Sequence, residues 1–269
     1  MQEILYTKIN VGLEAPVKIL HITDIHLTAY SEKEDPADQV ELLKKRFETF
    51  RNEGGQPPLD PDEYFREAIE LAEKEGALLM VTGDVIDLHS AGNVSYFRSI
   101  ISGHDMMFTP GGHEHQRICR RTMEEEGDYA EMMRAKLADE FPEFDLDFES
   151  RIINGLNIIT ANNSLDYYNE YTVTRFEEEL EKGLPIVVFS HDPINDKLLS
   201  LTESYHPNVK LTPEDYAISN RMRDKLLHDP RVITTFAGHW HKASEETIEA
   251  NVVEGKVHYV TPALFKGKC

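Results

Sequence analysis

Cysteine is nearly absent from this chain of 269 residues: only Cys119 and Cys269 occur, so no disulfide framework beyond a single bridge is possible. Tryptophan occurs once, as Trp240. Basic residues are scarce beside acidic ones, 28 against 49, which leaves a formal net charge of −21. A surface this acidic repels nucleic-acid backbones and anionic lipids, and no basic stripe marks a nucleic-acid binder. An anionic substrate is not excluded, because bound cations can dominate the field inside a site. No apolar run approaches the ~20 residues that span a bilayer, and Met1 to Lys8 carry no basic segment followed by an apolar one. These absences predict a reducing, cytoplasmic setting with neither a membrane nor a nucleic-acid partner, and they leave the oligomeric state open.

What is present is an ordinary globular composition, 40% hydrophobic and 29% charged, in a chain long enough to bury a substantial core. Short aliphatic runs closed by turn or polar residues predict strands at Val17–Ile22, Ala77–Val81, Met106–Thr109, Leu156–Ala161, Pro185–Ser190 and Val232–Ala237. Helical spacing fills stretches between them: Ala37–Arg51, a helix opened by Pro61 and closed by Gly76, Met123–Glu140, Arg175–Lys182 and Ser219–His228. Strands alternating with helices predict an α/β protein with a largely parallel, layered core. Glu246–Val253 and Val257–Thr261, flanking Glu254-Gly255, read as a closing hairpin. The whole chain, residues 1–269, is expected to form one domain. A charged, Gly- and Pro-rich excursion at about residues 28–61 leaves it and carries one helix.

Five of the strands end in Asp or His. Val17–Ile22 runs into Asp24-Ile25-His26, Ala77–Val81 into Gly83-Asp84, and Met106–Thr109 into Gly111-Gly112-His113-Glu114. Pro185–Ser190 runs into His191-Asp192, and Val232–Ala237 into Gly238-His239-Trp240-His241. In open α/β sheets, functional residues collect just beyond the carboxyl ends of strands. Carboxylate and neutral imidazole together suit Mn, Fe or Zn. In extended chain an Asp-x-His or His-x-His pair points to one side, so each pair is expected to grip one ion. Asp84, set between the pairs, has two oxygens with which to bridge two ions, and ions ~3.5–4 Å apart clamp a phosphate and share a water. Asp87 and His89 read as turn-shaping residues. Asp192 reads as an outer partner of the site or the cap of a turn, and His21, His104 and His258 as structural. His113-Glu114-His115 does not have the spacing of a metallopeptidase helix motif. Cys119, among arginines, lacks the downstream Arg of a cysteine phosphatase.

Asp24-x-His26, Gly83-Asp84, Gly111-x-His113-Glu114, His191 and Gly238-His239-x-His241 stand in an order that resembles the calcineurin-like metallophosphoesterase family. The resemblance implies a four-layer αββα sandwich with a dinuclear site at its strand ends. It implies a first ion on Asp24, His26 and His241, a bridge at Asp84, and a second ion on His191 and His239. It assigns His113 to protonate the leaving group, oriented by Glu114. The implied activity is hydrolysis of a small phosphomonoester or phosphodiester by metal-bound hydroxide, with two divalent cations as cofactors. One position departs from the pattern: the family carries an Asn ligand where this chain has Gly112. An engineered change, a natural variant with water in the vacancy, and a replacement ligand from elsewhere all account for it, His115 and Glu114 being nearest. The same departure supports a rival reading, a non-catalytic metal- or phosphate-binding scaffold on the same fold.

Overall fold

A computed structural model describes residues 4–53, 60–116, 129–165, 167–194, 211–241 and 256–269. Among the described residues eight strands form two sheets. The first holds β1 (Ile19–Ile22), β2 (Leu78–Thr82) and β3 (Met106–Thr109), all parallel. The second has the order β4 (Phe148–Ile153), β5 (Leu156–Ala161), β6 (Ile186–Phe189), β7 (Val232–Ala237) and β8 (His258–Val260). Only β4 runs antiparallel to its neighbour.

Alternation along the strands builds the layers. Leu78 and Met80 of β2 and Met107 of β3 pack with Leu156, Ile158, Val187 and Phe189 of the second sheet, forming the core between the sheets. The intervening residues Leu79, Val81, Met106 and Phe108 face the other way, into helices α2 (Pro61–Glu75), α3 (Ala91–Ile101) and α4 (Tyr129–Glu140). On the second sheet Ile159, Ala161, Ile186 and Val188 face α5 (Glu170–Leu180) and α6 (Pro213–His228). Strands buried on both faces read as continuous apolar runs, which is why the sequence exposes them clearly. The layers are helix, sheet, sheet, helix, as expected.

The helices form for local reasons. In α2, Pro61 occupies the first helical position, where its missing N–H is no loss, and the Asp60 N–H donates to the Glu63 carboxylate at 2.9 Å. Tyr64, Phe65, Ala68, Ile69 and Ala72 then bury one stripe. Gly76 ends the helix with φ 61°, a left-handed conformation that glycine adopts without a Cβ clash. In α3 the Ser90 hydroxyl accepts from the Asn93 N–H, and Thr212 does the same for Asp215 at the start of α6.

The six strands expected between Val17 and Ala237 are each found within two residues of their expected bounds, but β4 and α3 lie where neither strand nor helix was read. Of the closing hairpin, Val257–Thr261 contains β8, which runs parallel to β7, and Glu246–Val253 lies outside the described residues. Cys119 also lies outside them. Among the described residues no helix is long and apolar enough to cross a membrane.

The excursion is bound tightly to the body. Its helix α1 (Ala37–Glu53) buries Val40, Leu43 and Phe50. Just before it, the buried Asp35 carboxylate accepts from the N–H groups of Ser31, Ala91 and Gly92, joining the excursion to the start of α3. Losing the acceptor strands buried donors, at about 1–3 kcal/mol. Asp35→Ala is therefore expected to lower stability by about that amount in urea unfolding. A change below about 0.5 kcal/mol, the level of an ordinary surface substitution, would show the tie to be unimportant.

Candidate metal centre

The residues singled out in the sequence converge at one end of the two sheets. Asp24 and His26 follow β1, Asp84 follows β2, His113 follows β3, His191 follows β6, and His239 and His241 follow β7. The cleft therefore straddles both sheets, three loops from one and two from the other.

Among the described residues side-chain ligand atoms form three groups: His26, Asp87 and His113 make one, and the other two share Asp84. Asp24, His26, Asp84 and His241 lie mutually within 4.8 Å, and so do Asp84, His191 and His239. In the first, His26 Nε2 lies 3.1 Å from His241 Nε2, which lies 3.2 Å from Asp24 Oδ1. In the second, His191 Nε2 lies 3.3 Å from both Asp84 Oδ2 and His239 Nδ1. Asp24, His26, Asp84 and His191 are buried, whereas His239 and His241 border the opening.

The backbone reaches this arrangement by an unusual route. Among the described residues six non-glycine positions have positive φ, and five of them are Asp24, His26, Asp84, His239 and His241. Left-handed conformations cost such residues ~1–2 kcal/mol each and concentrate at functional sites. The pairs are thus not extended, as the spacing predicted. Left-handed turns at alternate residues also deal His239 and His241 into different groups, while Asp24 and His26 stay together. Gly83 and Gly111 let the β2 and β3 loops touch: a Cβ on Gly83 would come within 2.5 Å of the Gly111 nitrogen and of His191 Nδ1.

Outer contacts set the imidazole tautomers. His26 Nδ1 faces Asp87 Oδ1 at 3.0 Å, and His191 Nδ1 faces the Thr82 carbonyl at 2.9 Å. Both acceptors require the ring proton on Nδ1, which leaves each Nε2 lone pair directed into the cleft. That is the tautomer and the orientation a metal-binding histidine needs. Two imidazole nitrogens converging on two carboxylates, with their lone pairs turned inward, fit a divalent cation.

Electrostatics follow from this crowding. Burial disfavours the charged form of Asp84, but His191 and His113 outweigh it and hold the carboxyl well below its ordinary range. Burial likewise opposes Asp24, yet His241 and His191 bring it down to about 2. For His26 burial prevails over Asp87, and its pKa is lowered. His191 goes the other way, raised by Asp84 against its burial.

Two assignments need correction. The Glu114 carboxylate does not orient His113; it accepts from the N–H groups of Asp84, Val85, Ile86 and Gly111 at 2.6–3.0 Å. It clamps the loop that carries Asp84. The group touching the His113 ring is Asp87, whose carbonyl lies 2.7 Å from Nδ1 and whose carboxylate lies 3.2 Å away. Asp87 also receives Arg46 of α1 through two bonds of 2.7 Å, so it is more than a turn residue. Phe50 of the same helix stacks on His26 with ring centroids 4.5 Å apart. Nothing in the spacing announces Arg46 or Phe50, which come from the excursion. His21, His104 and His258 do have structural partners, in Thr82, Glu73 and Thr235.

With this geometry in view, comparison with known proteins identifies the class: the chain is a metal-dependent phosphoric ester hydrolase. The model of the calcineurin-like phosphoesterase family matches residues 17–243, and the chain belongs to that family. Among solved structures it is similar to a phosphopantetheinyl hydrolase from Mycobacterium tuberculosis, at 13% identity and a TM-score of 0.44, covering 93% of this chain and 90% of that one. Among curated proteins no sequence matches at a significant level.

Glu114→Gln turns an NH₂ donor toward backbone donors. It is expected to destabilise the protein by about 1–3 kcal/mol in urea unfolding and to weaken metal binding; unchanged stability would refute the clamp. The buried histidines set the pH dependence of the metal-free protein. Burial pulls His21 down to about 3, so the unfolded chain takes up a proton near its ordinary pKa that the fold refuses. Stability then falls as pH drops below ~6.5, by up to about 1.4 kcal/mol per pH unit for this residue. Burial also opposes the charge on His113, but Asp84 and Asp87 push it up to about 10. Its contribution is complete below the unfolded pKa of ~6.5 and is lost as pH rises toward the folded value. Unfolding of chelator-treated protein should therefore show greatest stability near pH ~6.5, and a flat profile from pH 5 to 9 would contradict these shifts.

Proposed function

We propose that the chain hydrolyses a small phosphomonoester or phosphodiester at a centre of two divalent cations, with Mn, Fe or Zn suited to the donor set. The observation that carries this reading is the membership of Asp84 in both ligand groups. Its Oδ2 faces His26 Nε2 at 4.0 Å and His191 Nε2 at 3.3 Å, while its Oδ1 accepts from the His113 N–H, so this one carboxylate would serve both sites. Asp24, His26 and His241 would complete the first site, and His191 and His239 the second. Two such ions supply positive charge against phosphate oxygens and activate water at neutral pH.

The chain's own residues do the rest. His113 is held by its backbone N–H, which donates to Asp84 Oδ1 at 2.9 Å, and by its Nδ1 hydrogen bond to the Asp87 carbonyl. Its Nε2 lies 4.0 Å from Asp84 Oδ2, at the edge of the cleft, and the side chain is 20% exposed. A proton on that atom can reach the oxygen of a departing alcohol. The Arg46–Asp87 pair fixes the ring from behind. Substrate charge is tolerated although the chain carries −21 overall, because the cations invert the local field. The acidic surface disfavours long polyanions and so supports a small substrate, and the scarcity of cysteine supports a cytoplasmic setting. Neither Glu114 nor His115 belongs to a ligand group: Glu114 accepts from backbone donors, and His115 Nε2 meets the Ser164 hydroxyl at 2.9 Å.

The test is hydrolysis of an aryl phosphate and its diester by protein loaded with Mn²⁺, with metal counted by elemental analysis. Two equivalents and turnover of at least one ester are expected, and turnover disappears on chelation. His113→Asn should lower kcat by about 10²–10⁴, with a larger loss for an alkyl than for an aryl leaving group. Full metal loading without hydrolysis of either ester would favour the scaffold reading; one equivalent per chain would end the two-ion reading.

A further inference from the structure

The second ligand group, Asp84, His191 and His239, has one residue fewer than the first. The β3 loop offers it no side chain at Gly112, and Glu114 and His115 are turned to other partners. A different carboxylate stands beside it. Asp192 Oδ1 lies 3.4 Å from His239 Nδ1 and 4.0 Å from His191 Nε2, the two nitrogens that face the cleft. Ligands on one ion at bond lengths of ~2.1 Å are separated by ~3.4 Å in a tetrahedral set. His191 Nε2 stands 3.3 Å from Asp84 Oδ2 and from His239 Nδ1, and His239 Nδ1 stands 3.4 Å from Asp192 Oδ1, all close to that value; His191 Nε2 to Asp192 Oδ1 is longer, at 4.0 Å.

Two further observations point the same way. The side chain of Asp192 is only 10% exposed, and its Oδ2 is a buried oxygen with no hydrogen-bond partner among the described residues. An unpartnered buried carboxylate oxygen is expensive unless a cation or donor meets it. The main chain of Asp192 is also held rigidly. The Asn163 amide accepts from its N–H at 3.0 Å and donates to its carbonyl at 2.8 Å. Asn163 is in turn bonded to the buried Tyr168 hydroxyl, itself 3.2 Å from the Ser190 hydroxyl. A carboxylate mounted on a doubly clamped peptide is built for a fixed position, not for solvation.

We propose that Asp192 is a direct ligand of the second divalent cation, supplying the oxygen that Gly112 lacks. This rests on the two-ion reading above and deepens it. The site then has two carboxylates and two imidazoles, a harder, more anionic set than two imidazoles and one shared carboxylate. Mn or Fe is favoured there over softer ions.

Mn²⁺ titration by calorimetry, with elemental analysis of the gel-filtered protein, tests it on the full chain. Wild type should bind two equivalents; fewer would refute the two-ion centre itself, independently of Asp192. Given two, Asp192→Ala should weaken the second equivalent by more than about 100-fold, beyond the ~10–100-fold typical of an outer partner, and leave the first within threefold. Asp192→Asn keeps the side-chain volume and one neutral oxygen, so the fold is preserved and a smaller loss of more than tenfold is expected. Asp192→Ala with a loss below 100-fold, or Asp192→Asn with second-site affinity equal to wild type, would overturn direct ligation. So would loss of both equivalents together from a folded variant, because Asp192 would then support the cleft as a whole.

Discussion

The Asp84 carboxylate is the constraint on which the rest of the structure depends. It is buried, it stands within ligand distance of both histidine groups, and its charge is retained only because imidazoles surround it. An isolated carboxylate in such a place would neutralise itself. Much of the surrounding architecture holds this one side chain: Glu114 gathers the N–H groups of its loop, His113 donates to its oxygen, and Gly83 and Gly111 allow the loops to close around it. Glu114 itself is raised in pKa by burial and by the charge of Asp84, against the backbone donors that favour its ionised form. The two buried carboxyls stand side by side because imidazoles offset the charge of one and four backbone N–H groups satisfy the other.

Strain is distributed in the same place. Five ligand-type residues adopt left-handed backbone, and each stands just beyond the end of β1, β2 or β7. The double-sheet core provides the rigidity that makes such conformations persist. Helices on the outer faces supply little to the chemistry, with one exception. Helix α1 reaches back from the excursion, so that Arg46 and Phe50 back the His26–Asp87–His113 group from outside. A segment whose composition looks like an insertion is thereby part of the wall of the cleft.

Charge is organised on two scales. The surface is strongly acidic, which disfavours polyanionic partners, while the cleft collects histidines whose lone pairs face inward. Cations placed there convert a locally anionic pocket into one that attracts phosphate. The separation between global and local sign explains how an acidic protein belongs to a family that acts on phosphate esters.

The layered α/β class and the six ligand-type residues were legible in the sequence, because buried parallel strands are unbroken apolar runs and their carboxyl ends deliver Asp and His at fixed places in the chain. Helix α3 and strand β4 were not. Strand β4 is half exposed, and its burial pattern carries no clean alternation. Tertiary structure alone decided which residues meet. It turned the pairs into left-handed bends, divided His239 from His241, gave Glu114 to the backbone and Asp87 to His113, and brought Arg46 and Asp192 to the site. The physical reason is that pattern and propensity report the environment of one segment at a time. A metal centre is made of contacts between segments more than 200 positions apart, as with His26 and His241, and side-chain direction at its edge depends on backbone angles that no local pattern encodes.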